Sequence, residues 1–293
     1  MATNEMQFVK THGRPRMNYH RSSTEPEAPD ELLDLLHRYL KLAPAMVPPV
    51  GSEETHLPTL WHPDLHLNNV FVDPGSRQIT RIIDWQSTAV MPFFYQCDIP
   101  RMIKNPGGVS NNWDTPELPD NYDSLDQSEK EKIKSARERE ICHKYYLAET
   151  KEQNPKHWVG LGLENICIRT EPSRLVVNVW EDRDVFFLRQ ALYSIAEQWE
   201  KLCPESGPCP VAFSEQEIKA HGAEEEVMGN VAEILRIFQD GWGLPPDGMV
   251  DSAAFEEIRD AVAEMKESFL SSADNEEERE LFSKIWPYQD ADA

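Results

Sequence analysis

A chain of 293 residues is long enough for one large domain or two modest ones, and its apolar content of 40%, with 8 Trp, 11 Phe and 8 Tyr, can fill a core. Against 29 basic side chains stand 52 acidic ones, a net charge of −23. That balance excludes the basic stripe on which nucleic-acid binding depends, and an anionic membrane surface would repel it.

The favoured partners are therefore cations, metal ions and amine-bearing small molecules, although most acidic residues read as solvated helix faces. No run of 18 apolar residues is present, so no membrane span is expected. Five scattered cysteines, Cys97, Cys142, Cys167, Cys203 and Cys209, match no zinc spacing and read as reduced thiols of an intracellular protein. The first 24 residues hold several basic side chains and one acid, Glu5. A mitochondrial leader can look like this, but GRPR is not amphipathic and Leu is absent, which leaves cytoplasm and mitochondrion both open.

In chain order, residues 1–29 read as an irregular start. Asp30 then opens a helix in which Leu32, Leu33, Leu36, Tyr39 and Leu40 recur at helical spacing. Ala43-Pro44 and Pro48-Pro49 are expected to end it, because Pro cannot donate and restricts its predecessor. Strand-like text runs from Leu60 to Asp84. Met91 to Asp123 is loop-like, with three Pro and two Gly in KNPGGVSNNWDTPELPDNYD. Helical text follows from Ser128, over about 182–202, and again after Ser214 and Glu217, a capping box. A further helix follows a cap at Asp251 or Ser252, and a last short one precedes Trp286-Pro287. The expectation is one lobe over 30–293, mostly helical with a short β-hairpin, hence α+β.

The chemistry concentrates in residues 61–85, WHPDLHLNNVFVDPGSRQITRIIDW. Val70 to Val72 and Ile79 to Ile83 are short β-branched runs, and Asp73-Pro74-Gly75 between them is turn text. Folding them into a hairpin brings Asn69 beside Asp84, with Asp64 on the entering loop. A carboxylate can accept the proton of an attacking hydroxyl. A second carboxylate and an amide oxygen are hard donors suited to Mg²⁺, which usually takes one or two protein carboxylates plus phosphate oxygens.

This stretch resembles the catalytic segment of the aminoglycoside phosphotransferase and choline kinase families, His-Gly-Asp-Leu-His-x-x-Asn followed by Ile-Asp-Trp. It is most similar to a fungal branch of phosphotransferase-family proteins, some linked to mitochondrial inheritance. The resemblance covers about 25 residues (61–85, with Asp98 beyond) and implies a protein-kinase-like C-terminal lobe. It implies that Asp64 is the catalytic base, that Asn69 and Asp84 are the Mg²⁺ ligands, and that His62 buttresses the loop. His66 fits the pattern, but an ordinary hydrogen-bonded loop His fits equally. Asp98 corresponds to a further loop-steadying Asp, with a plain helix cap as the competing role. Pro63 replaces the usual Gly, and Gln86 stands where relatives carry Glu.

A kinase of this shape also needs a phosphate-covering Gly-rich loop and a strand Lys. Only 61 residues precede His62. Phe8-Val9-Lys10 could imitate the Lys strand, but the strands that should come first have no room and it reads as a stray basic terminus; Gly160-Leu161-Gly162 follows the catalytic segment and reads as a loop. The sequence thus describes a kinase fold with most of its N-terminal lobe missing. The function it implies is a truncated phosphotransferase using Mg²⁺ and ATP or GTP, bound weakly, to phosphorylate a small hydroxyl compound. The alternative is an inactive pseudokinase-like scaffold. A metal hydrolase built on His62, Asp64 and His66 would need more His ligands than the chain supplies.

Overall fold

The computed structural model describes residues 1–18, 22–48, 53–86, 88–105, 109, 113–182, 185–242, 250, 252 and 255–286. In chain order the elements are α1 (Ala2–His12), β1 (Arg16–Asn18), β2 (Ser22–Glu27), α2 (Pro29–Met46), β3 (Pro58–Trp61), β4 (Val70–Val72), β5 (Ile79–Ile82), β6 (Ala89–Pro92), α3 (Phe93–Gln96), α4 (Gln127–Gln153), α5 (Pro155–Leu161), α6 (Ile166–Leu175), α7 (Val179–Asp182), α8 (Val185–Glu197), α9 (Trp199–Leu202), α10 (Glu215–Trp242), α11 (Phe255–Ser271) and α12 (Glu276–Ile285). The chain is mostly helical, with three separate antiparallel strand pairs, which is an α+β composition. After residue 124 no strand occurs among the described residues.

The chain divides into two units, Met1–Ala45 with Glu171–Ala293, and Met46–Thr170. The first holds most of the apolar core. Leu32, Leu36 and Leu42 of α2, and Leu188, Leu192 and Ile195 of α8, are completely buried. The spacing of four from Leu32 to Leu36, and of four and three from Leu188 through Leu192 to Ile195, puts these residues on one face of their helices.

Residues 1–29 correct the expectation of an irregular start. Ala2, Met6 and Val9 form a buried stripe at helical spacing on α1. Glu5, beside them, accepts a hydrogen bond from the Trp180 backbone N–H at 3.0 Å. Phe8, Val9 and Lys10 therefore lie on a helix, not a strand. β1 pairs with β2, and Arg16 Nε reaches the buried Glu27 carboxylate at 3.0 Å. Basic side chains dominate this segment, and its three-residue apolar stripe is short enough to be hidden among them.

Three smaller differences have equally local causes. Pro44 lies inside the last turn of α2, where the helix ends two residues later, so its missing donor disturbs little. α4 is capped by Asp126, not Ser128: its side chain accepts from the Glu129 N–H while the Glu129 side chain returns to the Asp126 N–H. Gly160 belongs to a helix rather than a loop. A Cβ there would stand 2.7 Å from the Phe93 ring and 2.8 Å from Cys97 Cβ, so α3 and α5 approach closely through its bare Cα. The Ser214–Glu217 capping box forms as expected, with Ser214 N–H donating to Glu217 Oε2 at 2.7 Å. The Asp251 cap falls outside the described residues.

The second unit is built differently. Its buried side chains are largely polar, among them His62, Asn69, Gln96, His143 and His157, while Leu60, Phe71, Val72, Ile79 and Val90 are exposed. The long loop before α4 is tied to that helix: Arg137 Nε donates to the Pro116 carbonyl at 2.6 Å and Lys144 Nζ to the Asp114 carbonyl at 2.7 Å.

Candidate active site

Two nested ribbons position the residues of 61–85. The outer ribbon pairs β3 with β6, Trp61 opposite Ala89, and the inner one pairs β4 with β5, Val70 opposite Ile82. Between them run two short crossings, one carrying His62 to Asn69 and the other Ile83 to Thr88. The inner turn is held by Asp73, whose Oδ1 accepts from Ser76 N–H at 2.6 Å, Ser76 hydroxyl at 2.8 Å and Gly75 N–H at 3.1 Å. These bonds, the Ser76 N–H foremost, hold the Asp73 carboxyl below its ordinary pKa. The left-handed position of the turn is Arg77, at φ 58°.

His62 joins the two crossings. Its Nε2 lies 2.9 Å from the Ile83 carbonyl oxygen, and its ring meets Trp85 edge-on with centroids 4.8 Å apart. Trp85 is anchored by Nε1–H donation to the Ile82 carbonyl at 2.9 Å. Asn69 joins them a second time, its backbone oxygen accepting from Ile83 N–H at 3.0 Å.

The side chain of Asn69 is buried, and its Nδ2 contacts the Asp64 carbonyl oxygen at 3.0 Å and His66 Nε2 at 3.1 Å. With the amide nitrogen engaged on both sides, the Oδ1 remains available as a donor atom to a cation. His66 also stands 3.5 Å from the Asp64 carboxylate. That carboxylate is exposed, as is Asp84, and Asp84 has no hydrogen-bond partner among the described residues. Asp84 is also held at φ 65°, a left-handed conformation uncommon for any residue but Gly. Strained backbone of this kind tends to persist where function requires it.

Asp98 bonds to none of these residues among those described. Its Oδ1 accepts from its neighbour Ile99 N–H at 2.7 Å and from Lys104 Nζ at 3.1 Å. No helix begins there, so it holds a turn and is not a helix cap. His157 hydrogen-bonds to the Asp98 backbone, and burial lowers its pKa. Sequence reasoning missed this histidine. It stacks on Trp61 at 5.7 Å and meets the Tyr146 hydroxyl at 3.0 Å, bracing the strand end that carries His62. Nothing in PKHWVGL distinguishes it from any helix histidine.

In kind, the side chains of Asp64, Asn69 and Asp84 are hard oxygen donors of the type a divalent cation takes. Among the described residues no three His, Cys, Asp or Glu side chains converge as a metal cage. Mg²⁺ takes few protein ligands and fills its octahedron with phosphate oxygens and water.

Residues 5–98 match the model of the phosphotransferase enzyme family. That span is 94 of the 293 residues. The matched span contains every residue named above for phosphoryl transfer, so the resemblance read from the catalytic segment holds. Two curated relatives, subtelomeric hrmA-associated cluster proteins from two strains of Aspergillus fumigatus, are each 29% identical over 293 residues, 99% of this chain and 56% of the relative. The chain thus spans about half the length of the curated relatives it matches. No solved structure matches it. No described helix is long and apolar enough to cross a membrane. The mostly helical α+β composition is compatible with a phosphotransferase-family fold.

Proposed function

We propose that residues 61–85 form a phosphoryl-transfer site acting on a hydroxyl group of a small molecule. Asp64 accepts the hydroxyl proton as the acceptor oxygen bonds to the γ-phosphorus of ATP. The bond from that phosphorus to its bridging oxygen breaks, and the electron pair leaves with the nucleoside diphosphate. Asn69 and Asp84 would hold Mg²⁺, which when bound neutralises charge on the phosphate oxygens. His62 keeps the two crossings at a fixed separation, and His66 orients Asn69. The net charge of −23 favours a cationic acceptor over an anionic one.

One observation carries this reading. Asn69 is tied through its amide nitrogen to Asp64 and through its backbone oxygen to Ile83, the residue before Asp84. A surface hairpin with unrelated polar ends has no reason to link all three.

Calorimetric titration of the full chain with Mg·ATP, paired with ATP turnover, tests the assignment. Asp84→Ala is expected to remove the Mg²⁺-dependent heat. Asp64→Asn should leave binding in place and lower turnover by about 10²-fold or more, the usual weight of a general base. Heat unaffected by Asp84→Ala, or turnover unaffected by Asp64→Asn, would overturn it.

A further inference from the structure

In the unit Met46–Thr170, three cations of α4 recur every seven residues, Lys130, Arg137 and Lys144. Seven residues make about two helical turns, so the three share one face. Each donates to a backbone carbonyl of the segment that precedes the helix. Lys144 Nζ meets the Asp114 oxygen at 2.7 Å, Arg137 Nε the Pro116 oxygen at 2.6 Å and Lys130 Nζ the Asp123 oxygen at 2.9 Å. Residues 114–123 therefore lie along α4 as an antiparallel strap, with the Trp113 ring at its start 6.2 Å from that of Trp158.

Thr115 sits between two of these anchors, the carbonyls of Asp114 and Pro116. It is exposed, and its hydroxyl has no hydrogen-bond partner among the described residues. Thr115-Pro116 is also the single Ser/Thr-Pro pair in the 293 residues. The proline ring removes the N–H that would follow the hydroxyl residue and steers Thr115 away from the helical region. An unengaged hydroxyl on exposed, non-helical chain with Pro next to it is the substrate pattern of a proline-directed protein kinase.

A partner for the phosphate stands beside it. Arg137 Nε is taken by the Pro116 carbonyl, but its two Nη groups make no hydrogen bond or ion pair among the described residues. Consecutive Cα atoms lie about 3.8 Å apart, so a guanidinium held at Pro116 is within reach of a phosphoryl group on Thr115. Lys144, on the other side, is already paired with Glu140 at 3.1 Å. Against capture stand the exposed carboxylates of Asp114 and Glu117. Their repulsion acts through water of high dielectric and is screened by salt, whereas a guanidinium takes phosphate through two parallel N–H bonds. Capture wins.

We propose that Thr115 is a phosphorylation site for a proline-directed protein kinase and that Arg137 binds the phosphate, locking the strap onto α4. In the modifying step Thr115 Oγ1 bonds to the γ-phosphorus of Mg·ATP, and its proton passes to the carboxylate base of the modifying kinase. The bridging P–O bond breaks, and ADP leaves with the electron pair. The site stands independently of the phosphoryl-transfer reading of residues 61–85, because here the chain is the substrate and supplies no catalytic group.

The full chain is incubated with Mg·ATP, with and without a purified proline-directed protein kinase, and the phosphate is mapped by mass spectrometry. Phosphate is expected at Thr115 only when the kinase is present, and at neither Thr115→Val nor Pro116→Ala. Hydrogen exchange then reads the strap, where the Tyr122 and Ser124 N–H groups donate to the Pro119 and Asn121 carbonyls. Phosphorylation should slow their exchange by about tenfold, the effect of one charge-assisted hydrogen bond. Arg137→Gln should lose that slowing, and Arg137→Lys should keep part of it. No incorporation at Thr115, equal incorporation without the kinase, exchange unchanged or faster after phosphorylation, or slowing that survives Arg137→Gln would each overturn the proposal. Thr115→Val and Arg137→Lys nearly conserve the size of side chains outside the core, so the test does not hang on a variant that fails to fold.

Discussion

The Nε2 of His62 and the carbonyl oxygen of Ile83, 21 positions apart in the chain, meet at 2.9 Å. A carbonyl only accepts, so the histidine donates and its tautomer is fixed. The bond links the segment leaving β3 to the segment leaving β5. His62→Leu keeps the bulk but leaves the carbonyl without that partner, and should cost about 1–2 kcal/mol in urea unfolding. His62→Gln, which can still donate, should recover part of the loss. Unchanged stability of His62→Leu would show that the ring does not brace the site.

Asp84 combines an unfavourable backbone with an exposed carboxylate. A left-handed conformation costs an L-residue roughly 1–2 kcal/mol relative to Gly, and somewhat less for Asp. Asp84→Gly should therefore hold or raise Tm, whereas Asp84→Ala should lower it, and both should abolish any Mg²⁺-dependent heat. A fall in Tm for both variants would mean that the carboxylate itself, rather than its conformation, stabilises the turn.

Gly160 offers a packing test. Gly→Ala inside a helix ordinarily gains about 0.5–1 kcal/mol. Here the new methyl would meet Phe93 and Cys97 at under 3 Å, and overpacking typically costs about 1–3 kcal/mol. A net destabilisation in denaturant titrations is expected for Gly160→Ala, with partial rescue by Phe93→Leu. A stabilised Gly160→Ala would show that α3 and α5 separate easily.

His221 makes a prediction about pH. Its folded pKa, about 4, lies below the ordinary 6.5, so the unfolded chain takes up a proton that the folded one refuses. The stability this contributes is full above pH 6.5 and is lost as pH falls toward 4, at no more than about 1.4 kcal/mol per pH unit. Carboxylates as a class titrate in the same window, so the comparison must be differential. Between pH 7 and pH 4.5 the parent protein should lose more stability than His221→Phe. Parallel losses would place the ring in solvent.

The inner hairpin could be read from the sequence because its signals are local: two β-branched runs, Asp-Pro-Gly between them, and functional side chains at both ends. The Ser214–Glu217 cap was legible for the same reason. β6 was not, because Met91 and Pro92 read as the start of a loop and the strand forms only through its pairing with β3. His157 and Gly160 were equally silent. Their roles depend on Trp61, Phe93 and Cys97, more than 60 residues away in the chain, and no local pattern encodes such an encounter. Asp84 could be chosen from its neighbours Ile82, Ile83 and Trp85, but its left-handed backbone could not.

The nesting of one ribbon inside the other also dictates an order of assembly. Trp61 and Ala89 are 28 positions apart, and closing so long an open loop for a four-residue ribbon is entropically unfavourable. The inner hairpin needs only its own tight turn. Once Val70 and Ile82 are paired, the span left to close shrinks to the two short crossings, and the outer ribbon can zip on a shortened path. Substitutions in the Asp73–Gln78 turn, remote from every candidate catalytic atom, should therefore slow folding of the whole site more than they weaken it once formed.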